Sequence, residues 1–422
     1  MNMADSLNLG CLCSTLQPQL LQGLAGTLEA SHPHLFSASP VFMSSRDLQA
    51  MERSVSALHR VSELAGYQAL ALDRAPAIAS HAFGPQGVFM GYDFHLGEDG
   101  PRLIEINTNA GGALLHAAAA RAHRACCEPL DPMFGGATDL GQLDQVFLDM
   151  FRAEWRAQRG DAVLRTVVIT DDAPGLQYLA PEFEMARQLF LAHGIHALIA
   201  DPLELQWRNG ALWHPTLPPG TPVDLVYNRL TDFDLSQPGH ALLRLAYTAG
   251  ATVVTPHPRA HALHADKRNL VALSDDALMA SCGASIEDRE LLRQVVPHTQ
   301  PVTAENADAL WAQRRQLFFK PDGGYGSKAA YRGEKLTRRV WGEITAGGFV
   351  AQALVAPSER MVRVGSEAAR LKLDVRAYAY RGRIQLLAAR TYSGQTTNFR
   401  TAGGGFAPVV VLPSSTDQII YC

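Results

Sequence analysis

Three groups of residues in this sequence have the types and spacing needed for chemistry on phosphorylated or carboxylated compounds. The first is the stretch FFKPDGGYGSKAAYRG, in which Lys320 and Pro321 precede Gly323, Gly324 and Gly326. Glycines let backbone N–H groups fold over phosphate oxygens without Cβ clashes, and a lysine at a strand end supplies a cation. No G-K-[ST] follows, so this is not a Walker A loop, and alone it fits a ligand-free Gly-rich hairpin equally well. The second is GYDFHLGEDGPRLIEIN. Asp93 sits on one hairpin strand, and Glu105 and Asn107 share a face of the other, because side chains two apart on a strand point the same way. Two carboxylates and an amide oxygen form a hard-oxygen set suited to Mg²⁺ and not to a soft metal. The competing reading is a solvated strand face, which the apolar neighbours Leu103, Ile104 and Ile106 disfavour. The third is KLDVRAYAYRGRIQLLAARTYSGQTTNFRTAGGGFAPV. Asp374 and Arg376 share a strand face, Arg390 ends the return strand, and Asn398 and Arg400 precede Gly403, Gly404 and Gly405. Arginines converging on a Gly-rich loop suit a phosphate, a carboxylate or a tetrahedral anion. Arg381 and Arg383, at the hairpin turn, read as solvated instead.

Elements must position these groups. Residues 1–80 read as helical, with Leu58, Val61, Leu64 and Ala65 forming an amphipathic stripe. A hairpin follows from Gly87, and the Ala-rich run after Gly112 is a helix. Another helix is expected over 143–158. Strands over 163–170, 196–200, 224–228 and 251–255 alternate with helices, which indicates an α/β layer of parallel strands. The last third reads as α+β, with strands over 317–320 and 349–355 and a hairpin over 372–392. His257, His261 and His264 are spaced i, i+4, i+7 without carboxylate or cysteine company, so capping or surface roles are expected for them. The six cysteines form no C-x₂₋₄-C knuckle and read as reduced and structural.

The 422 residues, 47% apolar and 18% charged, suit a globular protein of two to four domains, and a net charge of −4 provides no broad cationic field for nucleic acid or anionic lipid. No apolar run approaches the ~20 residues of a membrane span, and the N-terminus lacks a signal-peptide pattern. A cytoplasmic protein is expected.

All three groups resemble the ATP-grasp carboxylate–amine ligases. The D-V-R strand, Arg390, N-F-R and the glycines are similar to glutathione synthetases and ribosomal-protein glutamate ligases. G-x-D followed by E-I-N resembles the metal-binding strands of the same enzymes. The E-x-N segment usually comes last in the chain. Here it comes near the start, as in the eukaryotic-type glutathione synthetases and other circularly permuted ATP-grasp proteins. VYNRLTDF and HADKRNL also resemble segments of that group, so the likeness runs from about residue 87 to 412.

The resemblance implies an ATP-grasp fold in permuted order, mixing α/β and α+β, with an inserted Rossmann-like parallel α/β substrate domain. Its divisions would be 1–160 (N-terminal helices and metal-binding hairpin), 161–260 (substrate domain) and 261–422 (nucleotide-binding subdomains). It implies ATP held by Lys267 and Lys320, with Arg268 carrying the same charge beside Lys267. The loop Gly323, Gly324 and Gly326 would cover the phosphates, and the backbone of 351–354, including Gln352 and Leu354, would bond the adenine edge. Asp93, Glu105 and Asn107 would hold Mg²⁺, as two ions with Mn²⁺ as an alternative. Arg229 and Arg400 would clamp a substrate carboxylate near Asn398 and Gly404, and Arg376 with the Gly403–Gly405 N–H groups would stabilise a tetrahedral oxyanion. The reaction implied is an ADP-forming ligation of a small-molecule carboxylate and an amine through an acyl phosphate. Neither nucleic acid nor membrane is an expected partner; a homodimer is. A phosphotransferase or a non-catalytic nucleotide-binding protein are the alternatives. Two features depart from the family pattern: QALVAPSER holds no clear ribose-binding glutamate, Glu359 being a poor stand-in, and Asp322 stands where an acidic insert is usual.

Overall fold

The computed structural model describes residues 32, 34–37, 39–126, 139–323, 329–364, 367–394 and 397–412. Strand β1 (Val41–Ser44) leads into α1 (Ser45–Ser62), where the Ser44 side chain accepts the Asp47 N–H as a helix cap. The apolar stripe is split by a helix break. Leu58 and Val61 are buried on α1, whereas Ala65 opens α2 (Ala65–Asp73) with an exposed side chain. The expected hairpin forms as β2 (Met90–Gly97) and β3 (Gly100–Asn107), followed by α3 (Ala113–Cys126) and α4 (Leu143–Arg159).

A parallel layer comes next: β4 (Thr166–Thr170), α5 (Ala180–Ala192), β5 (His196–Ala200), a ribbon of β6 (Gln206–Arg208) and β7 (Ala211–Trp213), β8 (Leu225–Asn228), α6 (Ala241–Thr248) and β9 (Val253–Thr255). Its four main strands lie in the order β5-β4-β8-β9, all parallel. Val167, Val168 and Ile169 are fully buried, as expected of a parallel strand covered on both faces.

The remainder builds two antiparallel sheets. α7 (Arg268–Leu273), β10 (Thr299–Pro301), α8 (Ala307–Gln313), β11 (Leu317–Pro321), β12 (Tyr331–Arg332), α9 (Arg338–Thr345) and β13 (Phe349–Ala353) supply the sheet β10-β13-β11-β12. Then β14 (Ser358–Val364), β15 (Glu367–Tyr380), β16 (Arg383–Tyr392) and β17 (Gly405–Leu412) return to the N-terminal strands. The resulting sheet runs β1-β17-β16-β15-β2-β3, with β14 also pairing β15.

Strands from residues 41–107 thus share one sheet with strands from 358–412. Val375, Ala377 and Ala379 face a core with Met51, Val55 and Leu58 of α1, while Tyr378 joins a second core with Phe147 and Phe151 of α4. No helix among the described residues is long and apolar enough to cross a membrane.

Seven of the described histidines are packed into this fold in neutral form, whereas Asp172 and Asp232 hold His240 above the usual imidazole value despite its burial. Burial holds His59, His95, His116 and His257 below the usual imidazole value, His123 and His261 at about 4 and His264 at about 3. His257 caps a helical turn by accepting the Ala260 N–H, in line with the capping role expected of it. The unfolded chain takes up protons on these rings below about pH 6.5 while the folded chain resists them. Their contribution to stability is therefore present above that pH and lost as pH falls. Denaturant midpoints should drop between pH 7.5 and 5.5; a midpoint that holds steady would contradict the neutral packing.

Candidate active site

Register places the charged residues. Asp93 lies opposite Glu105 on β3 and opposite Arg376 on β15, and Asp374 lies opposite Arg390 on β16. Directly opposed residues of antiparallel strands share a face, so six polar residues from four strands meet on one side of the sheet. Arg376 donates from Nε to Asp93 Oδ1 at 2.6 Å and from Nη2 to Oδ2 at 2.7 Å, a bidentate pair. Arg390 donates from Nη2 to Asp93 Oδ2 at 2.8 Å and from Nε to Asp374 Oδ1 at 2.6 Å. Asp374 also accepts the Thr397 hydroxyl at 2.6 Å. Burial pushes the Asp93 carboxyl upward, but Arg376 and Arg390 outweigh it and hold Asp93 well below the usual carboxylate range.

This geometry changes what Asp93 can do. Both its oxygens are spent on guanidinium groups, so it is a fixed counter-charge in this arrangement and not an open metal ligand. Glu105 and Asn107 remain suited to a hard cation. Asn107 Nδ2 donates to Asp93 Oδ2 and Glu105 Oε1, each at 3.2 Å, which leaves the amide oxygen and the second Glu105 oxygen as donors of the class that Mg²⁺ takes.

Lys320 and Gln352 come together on the neighbouring sheet. Lys320 Nζ donates to Gln352 Oε1 at 2.8 Å and to the Ile104 carbonyl at 2.7 Å, tying β11 and β13 to the strand that carries Glu105. Burial, against the pull of Glu105 and with the repulsion of Lys267, pushes the Lys320 ammonium down to about 8. Lys267 joins it through the main chain, its N–H donating to the Asp322 carbonyl at 3.3 Å. The Asp322 carboxylate accepts the Gly323 N–H at 2.7 Å and closes its own loop. Gly324 and Gly326 lie outside the described residues.

Arg229 reaches the same region from the parallel layer. It is the first residue past β8, and its N–H donates to the Thr170 carbonyl at the end of β4 at 2.8 Å. β4 connects onward to β5 on one side while β8 lies on its other side; the crevice between such strand ends is where open α/β sheets take ligands. The guanidinium is buried, and its Nη1 donates to Asn109 Oδ1, two residues beyond Asn107, and to the Tyr227 hydroxyl at 3.4 Å. Nε has no partner, and no carboxylate lies within 4 Å of this cation among the described residues. Gly111 lets this guanidinium approach closely, since a Cβ would lie 2.7 Å from Arg229 Nη2 and 2.4 Å from a Leu179 methyl and would push both side chains aside. Burial raises the nearby Asp171 carboxyl to about 6 despite Arg229.

Other expected residues are placed differently. Arg400 is exposed and makes no side-chain ion pair or hydrogen bond among the described residues, unlike Arg376 and Arg390. Asn398 folds back on its own loop, accepting the Arg400 N–H and the Thr401 hydroxyl at 3.0 Å each. The Gly404 N–H donates to the Thr401 carbonyl at 2.9 Å, so it is not open to an oxyanion. The 351–354 backbone is also committed: β13 lies between β10 and β11, Ala353 N–H donates to the His298 carbonyl and Leu354 N–H to the Gln316 carbonyl, each at 2.8 Å. An adenine edge therefore does not find free N–H groups there. Glu359 is exposed and pairs with Arg370 at 3.2 Å.

Three contributors went unread. Glu182 accepts the Gly112 and Leu114 N–H groups at 2.7 and 3.1 Å, holding the start of α3. Asn109 orients Arg229, and His240 bridges Asp172 and Asp232 at 2.8 and 2.7 Å. Asn109 lies two residues past the E-I-N segment; nothing in the sequence pairs Glu182 or His240 with partners so distant.

No family model and no curated protein matches the chain. Among solved structures it is similar to a glutathione synthetase-like effector from Globodera pallida in apo form, with 11% identity over 95% of this chain and 98% of that one and a TM-score of 0.58. It is also aligned with a putative gamma-glutamylcysteine synthetase from Methylobacillus flagellatus KT (9% identity, 88% and 89% coverage, TM-score 0.47) and with the ATP-grasp ligase PsnB complexed with minimal precursor, Mg and ADP (14%, 58% and 88%, 0.29). The last two are too distant to carry an argument. The first shows the fold, and the resemblance to glutathione synthetase-type ATP-grasp ligases is borne out at that level.

The clasp yields a prediction. Asp93→Asn leaves two buried guanidinium groups short of one anion and should cost about 3 kcal/mol or more of unfolding free energy. Chemical denaturation measures this, and a loss below about 1 kcal/mol would mean the cluster is better hydrated than its burial implies.

Proposed function

We propose that this chain is an ATP-dependent, ADP-forming carboxylate–amine ligase, making an amide or peptide bond through an acyl phosphate on an amino acid or small peptide. The observation that carries the reading is Arg229, a buried guanidinium at the end of β8 whose hydrogen-bond partners are neutral and which reaches Asn109, two residues past Asn107. Glu182 and Asp171 stabilise this cation through space without bonding it, and a substrate carboxylate would supply a directly paired anion. The glutathione synthetase-like fold supports the same reading.

In this reading Lys320 and Lys267 bind the phosphates of ATP. Glu105 and Asn107 would hold Mg²⁺, one ion or two, with Mn²⁺ as an alternative; the metal supplies positive charge against the phosphates. Arg229 orients the substrate carboxylate. Asp93 locks Arg376 and Arg390 so that the Nη1 of each is left for oxygens that gain negative charge. No nucleophilic side chain is needed, because positioning and charge compensation do the chemistry. We further read the chain order as permuted, residues 161–260 as an inserted Rossmann-like substrate domain between 1–160 and 261–422, and the setting as cytoplasmic.

A screen of amino-acid and peptide pairs for ATP-dependent phosphate release, with mass spectrometry of the product, tests the function. One phosphate per amide bond is expected, and Arg229→Ala should raise KM for the carboxylate substrate at least roughly thirtyfold. A phosphorylated product without free phosphate would favour a phosphotransferase, and ATP binding without turnover on any pair would favour a non-catalytic protein.

A further inference from the structure

The sheet that carries Lys320 has a second face, away from the cleft. Phe319, one residue from Lys320 and therefore on the opposite side of β11, packs edge-on against Trp341 at 5.4 Å between ring centroids, and Trp341 lies 5.3 Å from Trp311. Trp311 has the guanidinium carbons of Arg314 and Arg338 at 4.0 and 4.1 Å from its ring centroid. Two guanidinium groups at that height would collide on one face of an indole, so they bracket it. The segments carrying them abut: a Cβ at Gly333 would sit 1.9 Å from the Arg314 carbonyl oxygen.

Arg315, Lys335 and Arg339 extend the cluster on these segments, whereas Arg332, opposite Phe318, lies on the Lys320 side of the sheet. Arg339 has Glu343 at 3.5 Å and Arg332 has Glu334 at 3.1 Å. Arg314, Arg315, Lys335 and Arg338 have none within 4 Å among the described residues. Arg314, Arg315, Lys335, Arg338 and Arg339 thus gather five positive charges in a chain whose net charge is −4. Like charges held around one ring repel each other, and nothing in the described chain neutralises them.

We propose that this face docks a carboxylate-rich polypeptide segment. Guanidinium forks match carboxylates bidentately, and an exposed row of them suits an extended acidic segment. A single-stranded nucleic acid normally anchors by stacking bases on aromatic faces. Trp311 has no free face for that, and Glu334 and Glu343 would repel a continuous phosphate track. The surface lies on the far side of β11 from Lys320, so the proposal stands apart from the ligase reading.

Fluorescence anisotropy with a labelled ten-residue glutamate peptide and the full chain tests it. Saturable binding at low ionic strength is expected, weakening as salt is added. Arg315→Glu with Lys335→Glu, two exposed positions whose side chains make no hydrogen bond or ion pair among the described residues, should weaken binding at least roughly tenfold and leave thermal unfolding unchanged; Arg338→Glu should act in the same direction. Absence of saturable binding, or equal affinity in the double variant, overturns the proposal. So does tighter binding of a ten-nucleotide thymidine strand through the same residues, which would assign the face to nucleic acid.

Discussion

Asp93 holds two guanidinium groups, and the rest of the site depends on that clasp. Three strands drawn from both ends of the chain must pair in one register for Arg376 and Arg390 to reach the same carboxylate. A slip of one residue would turn these charges into the core and bring apolar residues out. The ion cluster thus penalises every register but one, while the flanking Val375 and Ala377 provide the burial that stabilises it. Such a cluster is costly to bury, and its retention suits a site where charge has to be fixed in place before a ligand arrives.

Around this fixed centre two cations are left less settled. Lys320 is satisfied by neutral oxygens, and its burial lowers its hold on the proton. Arg229 has neutral partners and one unpartnered nitrogen. Both lie beside β3, one through the Ile104 carbonyl and the other through Asn109. The structure therefore separates cations bonded directly to carboxylates, Arg376 and Arg390, from cations whose hydrogen bonds go to neutral groups, Lys320 and Arg229. In the proposed reading the second pair would contribute binding and the first a rigid field.

Much of this was legible in the sequence because it rests on local pattern. The hairpin, the Ala-rich helix and the alternating strands of the parallel layer follow from periodicity and turn chemistry, and their bounds agree with the structure to within a few residues. The likeness to the glutathione synthetase fold followed from short motifs. What pattern could not supply was the state of each polar atom. Asp93 reads as a metal ligand until the register shows two arginines on it, and the 351–354 backbone reads as open until β10 and β11 are seen on either side. Arg400, placed beside glycines like a clamp, turned out exposed because its loop closes on Asn398 and Thr401. Strand β1 went unread since it becomes a strand by pairing with β17, far away in sequence.

The central claim is that the site activates a carboxylate by phosphoryl transfer, and oxygen labelling tests it most directly. A substrate pair identified by product formation is supplied with ¹⁸O in both carboxylate oxygens, and the released phosphate is analysed by mass spectrometry. Transfer of one ¹⁸O to phosphate for each amide formed is the predicted result. Amide formation with unlabelled phosphate, the lost ¹⁸O appearing instead in AMP or water, would contradict it.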